Sequence, residues 1–323
     1  MDSRSQSDLL RKKALRKLRS PYEMSIICID ITNKCDLACS NCTRLLENQE
    51  SFWEMTPENF RLALRSLEGF PGIIAVIGGN PAMHRAFPAL CEIFVEEVPN
   101  KDQRGLWTNN IFKHAELAKE TFGVFNLNPH GVARGIQSLS GLKSLGWYHE
   151  GHSSHAPLLT AGKDLFDEEE MWERISQCDV NHEWSASIVQ NRGKLRAYFC
   201  EVAASFDLAR GTDHGIEPVP GWWRRNVREF EDQVAHFCPG CGVPAKLKGH
   251  MDFEEIDTFT ASNADLAQKS LAKDRKTLEL TADGSQDRID HKVTQYSPKL
   301  RAQSPNRRRR TLVGAIKDIL HMT

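Results

Sequence analysis

Three cysteines in one short run, Cys35, Cys39 and Cys42, constrain this chain more than anything else in it. Thiolates separated by three and then two residues can reach three corners of one iron–sulfur cube. No fourth cysteine lies nearby, so one iron would be left without a protein ligand. Closed structural sites use every position, whereas sites that do chemistry keep one open. An open iron is a place for a small molecule.

The run follows a strand. Met24 to Ile31 is short, apolar and rich in β-branched residues, and reads as a buried strand. The cysteines therefore sit on the loop leaving its C-terminal end, where open α/β sheets and barrels bind ligands. Thr56-Pro57-Glu58 then opens a helix with a cap, a proline at the first position and an early acid. A second apolar run, Ile73 to Ile77, ends in Gly78-Gly79-Asn80-Pro81. The order β-loop-α-β places both special loops on one edge of a parallel sheet. Gly105 to Asn110 and Val124 to Asn128 read as third and fourth strands ending in polar groups.

With these residues in place, the chain resembles the radical S-adenosylmethionine (SAM) superfamily, over roughly residues 22 to 160. The matching motifs are the CxxxCxxC triplet and Gly78-Gly79-Asn80-Pro81, which is similar to that family's Gly-Gly-Glu-Pro. Two departures stand out: Asn41 precedes the third cysteine, where the family commonly has an aromatic residue, and Asn80 replaces the acid. The resemblance implies a mixed α/β fold, a partial (β/α)6 TIM-like barrel. It also implies a 4Fe–4S cluster on Cys35, Cys39 and Cys42, with SAM against Gly78, Gly79, Asn80 and Pro81. Asn109 and Asn126 are further candidates for the SAM ribose or the substrate. In the family the reduced cluster cleaves SAM, and the 5′-deoxyadenosyl radical takes a hydrogen from a substrate carbon; a redox or zinc loop is the alternative for the triplet. Gly79→Val is expected to weaken SAM binding while the cluster still assembles, because the cysteines sit on another loop.

A second cysteine set lies downstream. Cys178 and Cys200 flank an expected hairpin, with strands over Trp184–Gln190 and Lys194–Phe199 and a turn at Asn191-Arg192-Gly193. Cys238 and Cys241 follow a helix expected to carry the apolar stripe Trp223, Val227, Phe230, Val234 and Phe237. This C-x21-C-x37-C-x2-C pattern resembles the SPASM/twitch extensions of radical SAM enzymes, which implies a second 4Fe–4S cluster in a small cysteine-rich α+β extension. Cys-Pro-Gly-Cys-Gly also resembles a zinc knuckle, so zinc remains the alternative. Cys28 and Cys91 read as core residues.

The expected organisation is a basic N-terminal helix (1–21), a core (22–165), the cysteine-rich extension (166–257), and a linker with a basic tail (258–323). Net charge is −1, but residues 1–20 carry +5 and residues 291–323 carry +7, leaving −13 between them. An acidic middle excludes a broad nucleic-acid surface; the basic ends read as solvated tails, with phosphate or an acidic partner as the alternative. Asp167 to Glu170 opens a helix whose dipole favours acids. The histidine-rich segment 149–155 reads as a surface loop. No apolar run reaches the ~20 residues of a membrane span, the basic start lacks an apolar core behind it, and nine cysteines without an export signal point to metal binding. A cytoplasmic, reduced environment follows as the expectation, with flavodoxin or ferredoxin as electron donor. The substrate class stays open between peptide, nucleotide-like and small molecule. The competing class is a non-catalytic iron–sulfur or zinc protein with a redox or structural role.

Overall fold

The β-branched run after Met24 forms strand β1 (Ile26–Asp30), and its alternate residues face opposite sides of a sheet. A computed structural model of the chain describes residues 3–111, 113–127, 155–273, 275–281 and 290–292. Strands β2 (Ile73–Ile77), β3 (Arg104–Thr108) and β4 (Val124–Leu127) follow in parallel, as the alternation of strands and helices requires. Helix α1 (Ser3–Leu15) precedes them. Between the strands run α2 (Pro57–Ser66), α3 (Phe87–Glu97) and α4 (Ala115–Thr121). Thr56 caps α2 by accepting from the Asn59 amide at 3.1 Å.

Beyond these come α5 (Gly162–Leu165), α6 (Glu168–Ile175), α7 (Asp179–Glu183) and the hairpin β5 (Ser185–Asn191) and β6 (Lys194–Tyr198). Its turn places Arg192 at φ 48° and Gly193 at φ 80°, the left-handed pair that suits two-residue hairpins. The hairpin does not stand in a separate extension. β5 pairs in parallel with β1, so a six-stranded sheet runs β4-β3-β2-β1-β5-β6, five strands parallel and β6 antiparallel. The fold is mixed α/β with a mostly parallel sheet in which β4 and β6 are the outermost strands among the described residues.

Ile27, Ile29, Ile74, Val76, Leu106, Ala186 and Ile188 belong to the main core under the helices. Cys28, Ala75 and Trp107 form a small cluster on the opposite face. Helix α8 (Glu201–Arg210) leaves Cys200 and ends at Gly211, in the left-handed conformation at φ 69°. The long helix expected over the Trp223–Phe237 stripe is instead broken. Helical turns at Trp222–Arg224 and Val227–Phe230 precede α9 (Glu231–Phe237), yet all five stripe residues are buried. Asn226 interrupts the run because its side chain accepts from the Arg228 amide and starts a new turn.

The stretch expected as a linker from residue 258 differs most. β7 (Ile256–Phe259), α10 (Ala264–Leu271), β8 (Lys276–Glu279) and β9 (Asp290–Lys292) build a second, three-stranded sheet. Ile256, Phe259, Leu266, Ala267 and Leu278 are buried, so this polar-looking segment hides enough apolar surface to be held in place. At the other end, α1 packs against α6. Lys17 pairs with Glu173 and Arg11 with Glu231, committing part of the N-terminal basic charge to internal partners. The C-terminal arginine run and most of the histidine-rich segment lie outside the described residues. No helix among the described residues is long and apolar enough to cross a membrane.

Candidate metal and cofactor site

Cys35, Cys39 and Cys42 come together with Leu37 and Leu46 in one apolar cluster at the C-terminal end of β1. Burial pushes the Cys39 thiol well up, and the neighbouring Cys42 and Cys35 push it further; the Arg275 charge opposes them. Burial also raises Cys42, against backbone N–H groups of Arg44 and Leu46 and the charges of Arg275 and Arg44. Thiols that stay protonated when empty, yet face amides and two cations, are suited to an iron cluster, whose positive irons displace the protons and whose net negative charge those donors offset.

The loop's backbone explains Asn41. It sits at φ 49°, in the left-handed region that asparagine tolerates better than most side chains. Its amide donates to Asp257 Oδ1 at 2.9 Å, and its Oδ1 accepts from the Thr258 amide at 3.0 Å. An aromatic residue could not make the second bond.

The glycine motif is stitched onto the segment leading into the cysteines. The Gly79 amide donates to the Thr32 carbonyl at 2.7 Å, and the Asn80 amide to the Lys34 carbonyl at 2.6 Å. Gly78 has φ 142°, and a Cβ there would lie 2.3 Å from the Thr32 oxygen; a Cβ on Gly79 would lie 2.2 Å from the Lys34 oxygen. The expectation that the two loops are independent is therefore corrected. They form one backbone-bonded layer, and a side chain at Gly79 collides with the residue before Cys35.

Asp36, inside the cysteine run, is the residue that sequence reasoning missed. Its Oδ1 accepts from Asn80 Nδ2 at 3.2 Å and from Asn109 Nδ2 at 3.0 Å. Asn80 Oδ1 in turn accepts from Thr108 Oγ1 at 2.9 Å and from the Ala82 amide at 3.1 Å, starting the turn over Pro81–Met83. The Oδ1 of Asn109 is buried and has no hydrogen-bond partner among the described residues. Asn80 and Asn109 are thus brought to one carboxylate beside the thiols. Asn126 is not: it pairs with Trp107 across β3 and β4, on the sheet face of Cys28 and Ala75.

Under this layer lies a buried ion network, also missed. Arg44 pairs through Nε with Asp30 at 2.8 Å and through Nη2 with Glu201 at 3.1 Å. Ser187 donates to Asp30 at 2.7 Å and Ser185 to Glu201 at 2.6 Å. The Ser185 hydroxyl also lies 3.1 Å from the Cys28 sulfur, so Cys28 is buried but is not merely apolar filling. Burial pushes Glu201 upward, yet Arg44 and the hydroxyl bonds hold it below the usual carboxylate range; for Asp30 burial prevails and raises it. The signal in the sequence was adjacency: Arg44 is two residues past Cys42, and Glu201 follows Cys200.

Cys178, Cys200, Cys238 and Cys241 line one cavity of about 30 Å³, walled by Leu18, Ile175, Phe199 and Phe237. Burial raises all four thiols, and within the set each of Cys200, Cys238 and Cys241 feels its cysteine neighbours. A zinc ion draws its thiolates to within about 2.3 Å of one point. Among the described residues no group of three or more His, Cys, Asp or Glu is arranged to hold a single ion.

No family model matches the chain, and no curated protein matches it. Among solved structures it is similar to one described as "Crystal structure of BtrN in complex with AdoMet and 2-DOIA". The two share 16% identity over 68% of this chain and 92% of that one, with a TM-score of 0.45.

Proposed function

We propose that the chain is a radical SAM enzyme, with a 4Fe–4S cluster held by Cys35, Cys39 and Cys42. One observation carries this reading: the three thiols and the Gly78–Pro81 loop, drawn together by direct backbone bonds, share a polar edge of Asp36, Asn80 and Asn109. A redox carrier has no need of such a cradle. A cluster held by Cys35, Cys39 and Cys42 and given one electron by a flavodoxin- or ferredoxin-like donor would supply reductive cleavage of SAM to methionine and a 5′-deoxyadenosyl radical, for hydrogen abstraction from a substrate carbon. The chain's own task is placement. Gly78 and Gly79 admit close backbone approach, and Asp36 offers the SAM ammonium the carboxylate that Asn80 lacks. The buried Asn109 Oδ1 is an acceptor waiting for a donor.

For Cys178, Cys200, Cys238 and Cys241, four thiols lining one cavity support a second metal centre, read as a 4Fe–4S cluster with zinc as the alternative.

The test is anaerobic reconstitution with iron and sulfide, metal analysis, and assay of 5′-deoxyadenosine after reduction with SAM present. About eight irons per chain are expected for two cubes; about four irons with one zinc would overturn the second cluster alone. The variant with Cys35, Cys39 and Cys42 all changed to Ala should make no 5′-deoxyadenosine while keeping the downstream metal. Continued formation by that variant would refute the assignment.

A further inference from the structure

We propose that residues 256–273 and 275–279 form a clamp for the cysteine loop, and that Arg275 within it is a positioning residue that fixes the loop and raises the reduction potential of its cluster. This rests on the proposed function of the triplet and adds a second unit to it.

Arg275 is wholly buried, with a side-chain exposure of 0%. Its Nε and Nη2 bind the two oxygens of Asp257 at 2.9 and 2.8 Å. The remaining donors do not serve the clamp itself. Nη1 donates to the Ala38 carbonyl and Nη2 to the Cys39 carbonyl, each at 3.0 Å. The planar fork of a guanidinium suits this, since it can hold a carboxylate on one edge and two carbonyls on the other.

The neighbours make the same junction. The Ser40 amide donates to the Asp252 carbonyl at 2.8 Å, and Ser40 Oγ accepts from the Ile256 amide at 3.0 Å. Asn41 bonds both Asp257 and Thr258. Asn48 Nδ2 reaches the Leu266 carbonyl at 2.9 Å and Ser270 Oγ at 2.7 Å, and Ser270 Oγ donates on to Asp257 at 2.8 Å. Every residue from Ala38 to Asn41 except the cysteine side chain is thereby tied to the clamp. A loop so held presents its thiols in one geometry, and outer partners of this kind set both the affinity and the electronics of a metal site.

The charge adds a second effect. Reduction puts an electron on a cluster whose thiolates already make it anionic. A cation buried beside it, screened by no solvent, stabilises the reduced form.

The experiment compares full-length wild type with Arg275→Lys, Arg275→Met and the double variant Asp257→Asn/Arg275→Met, all reconstituted anaerobically. The readings are release of iron to a chelator and the midpoint potential of the electron paramagnetic resonance signal that changes when SAM is added. Arg275→Met should release iron roughly 10- to 100-fold faster, the usual loss when an outer partner of a metal ligand is removed, and its potential should move negative. Arg275→Lys should recover much of the potential but not the retention, because one ammonium nitrogen cannot span the Asp257 carboxylate on one edge and both carbonyls on the other. Should Arg275→Met fail to fold by circular dichroism, the double variant leaves no unpaired buried carboxylate and is read on iron retention alone, because it removes the Asp257 anion together with the cation. Unchanged retention in the variant that folds, or an unchanged potential in a folded Arg275→Met, would overturn the clamp and leave the proposed function standing. A wild type with no more iron than the triple cysteine variant would instead remove the proposed function itself.

Discussion

Gly79→Ala is the sharpest test of the layer formed by the two loops, because it needs no cofactor. An added Cβ would lie 2.2 Å from the Lys34 oxygen and 2.6 Å from the Lys34 carbonyl carbon. Ordinary contacts are about 3.5 Å, so the strands of backbone must part by roughly 1 Å. That displacement stretches the Asn80-to-Lys34 and Gly79-to-Thr32 bonds, now 2.6 and 2.7 Å, past hydrogen-bonding range. Two backbone bonds at about 1 kcal/mol each, plus about 1–3 kcal/mol for overpacking, give a loss of about 3–5 kcal/mol. Gly193→Ala is the control. Its φ is 80° but a Cβ there meets nothing within 4 Å, so only the left-handed backbone is penalised, by about 1–2 kcal/mol. Urea unfolding of the metal-free proteins measures both. A Gly79→Ala loss no larger than that of Gly193→Ala would refute the stitched-loop account. Because Lys34 precedes Cys35, Gly79→Ala should also reduce iron uptake on reconstitution, not only SAM binding.

Arg44→Met leaves Asp30 and Glu201 buried without their cation, and should cost about 3–5 kcal/mol in the same unfolding assay; a loss under about 1 kcal/mol would show that the network is not closed in solution. Asp36→Asn should weaken SAM binding to the reconstituted protein about ten- to a hundredfold, the worth of one charge-assisted bond, and Asn80→Asp in that background should recover part of it. Titration calorimetry reads both, and unchanged affinity in Asp36→Asn would remove the ammonium assignment. His84, in the turn after the glycine motif, points Nε2 at the Met55 carbonyl at 2.9 Å and accepts from the Ala86 amide on Nδ1 at 3.0 Å, so protonation breaks a bond. Burial chiefly depresses its pKa. The unfolded imidazole therefore takes up a proton first, and the stability present above about pH 6.5 is lost as pH falls through the lower folded value. His84→Gln should flatten the unfolding free energy between pH 7.5 and 5.5, and equal slopes in the two proteins would contradict this.

The strands and the first cysteine set were legible because their signals are local. β-branched runs mark β1 and β2, short runs ending in polar groups mark β3 and β4, and the spacing of Cys35, Cys39 and Cys42 is a property of eight consecutive residues. What was not legible is pairing at a distance. Nothing in the Ser185–Asn191 pattern says that its partner is β1, 157 residues away between Cys28 and Ser185. Periodicity reports which face of a strand is buried, not what lies beside it. The clamp was missed for another reason. Its stretch is rich in Ser, Asp, Lys and Gln, and composition averages over the few apolar residues that matter. Ile256-Asp257-Thr258-Phe259 and the adjacent pair Leu266-Ala267 were the available signals. Asp257 and Arg275 carry no pattern at all, since a buried pair is visible only when both ends are placed.

The Arg44 network links the two cysteine sets physically. Arg44 is two residues beyond Cys42, Glu201 opens the helix leaving Cys200, and the pair joins segments 157 residues apart. Asp30 adds the end of β1, and Ser185 and Ser187 add β5. Well-packed apolar side chains in the same space would often serve stability equally well or better. They would not fix direction. A guanidinium that ion-pairs with Asp30 at 2.8 Å and hydrogen-bonds Glu201 at 3.1 Å restricts the relative positions of the cysteine loop, β1 and α8 more than apolar contacts would. The same logic holds at Arg275, where a second buried guanidinium ties the opposite side of the loop to the clamp. Between Ala38 and Arg44 the cysteine loop is thus gripped from both sides by arginines with little or no exposure. If the thiols hold iron as proposed, a loop mounted this way would need little further ordering to receive it, and less conformational entropy would be lost on binding.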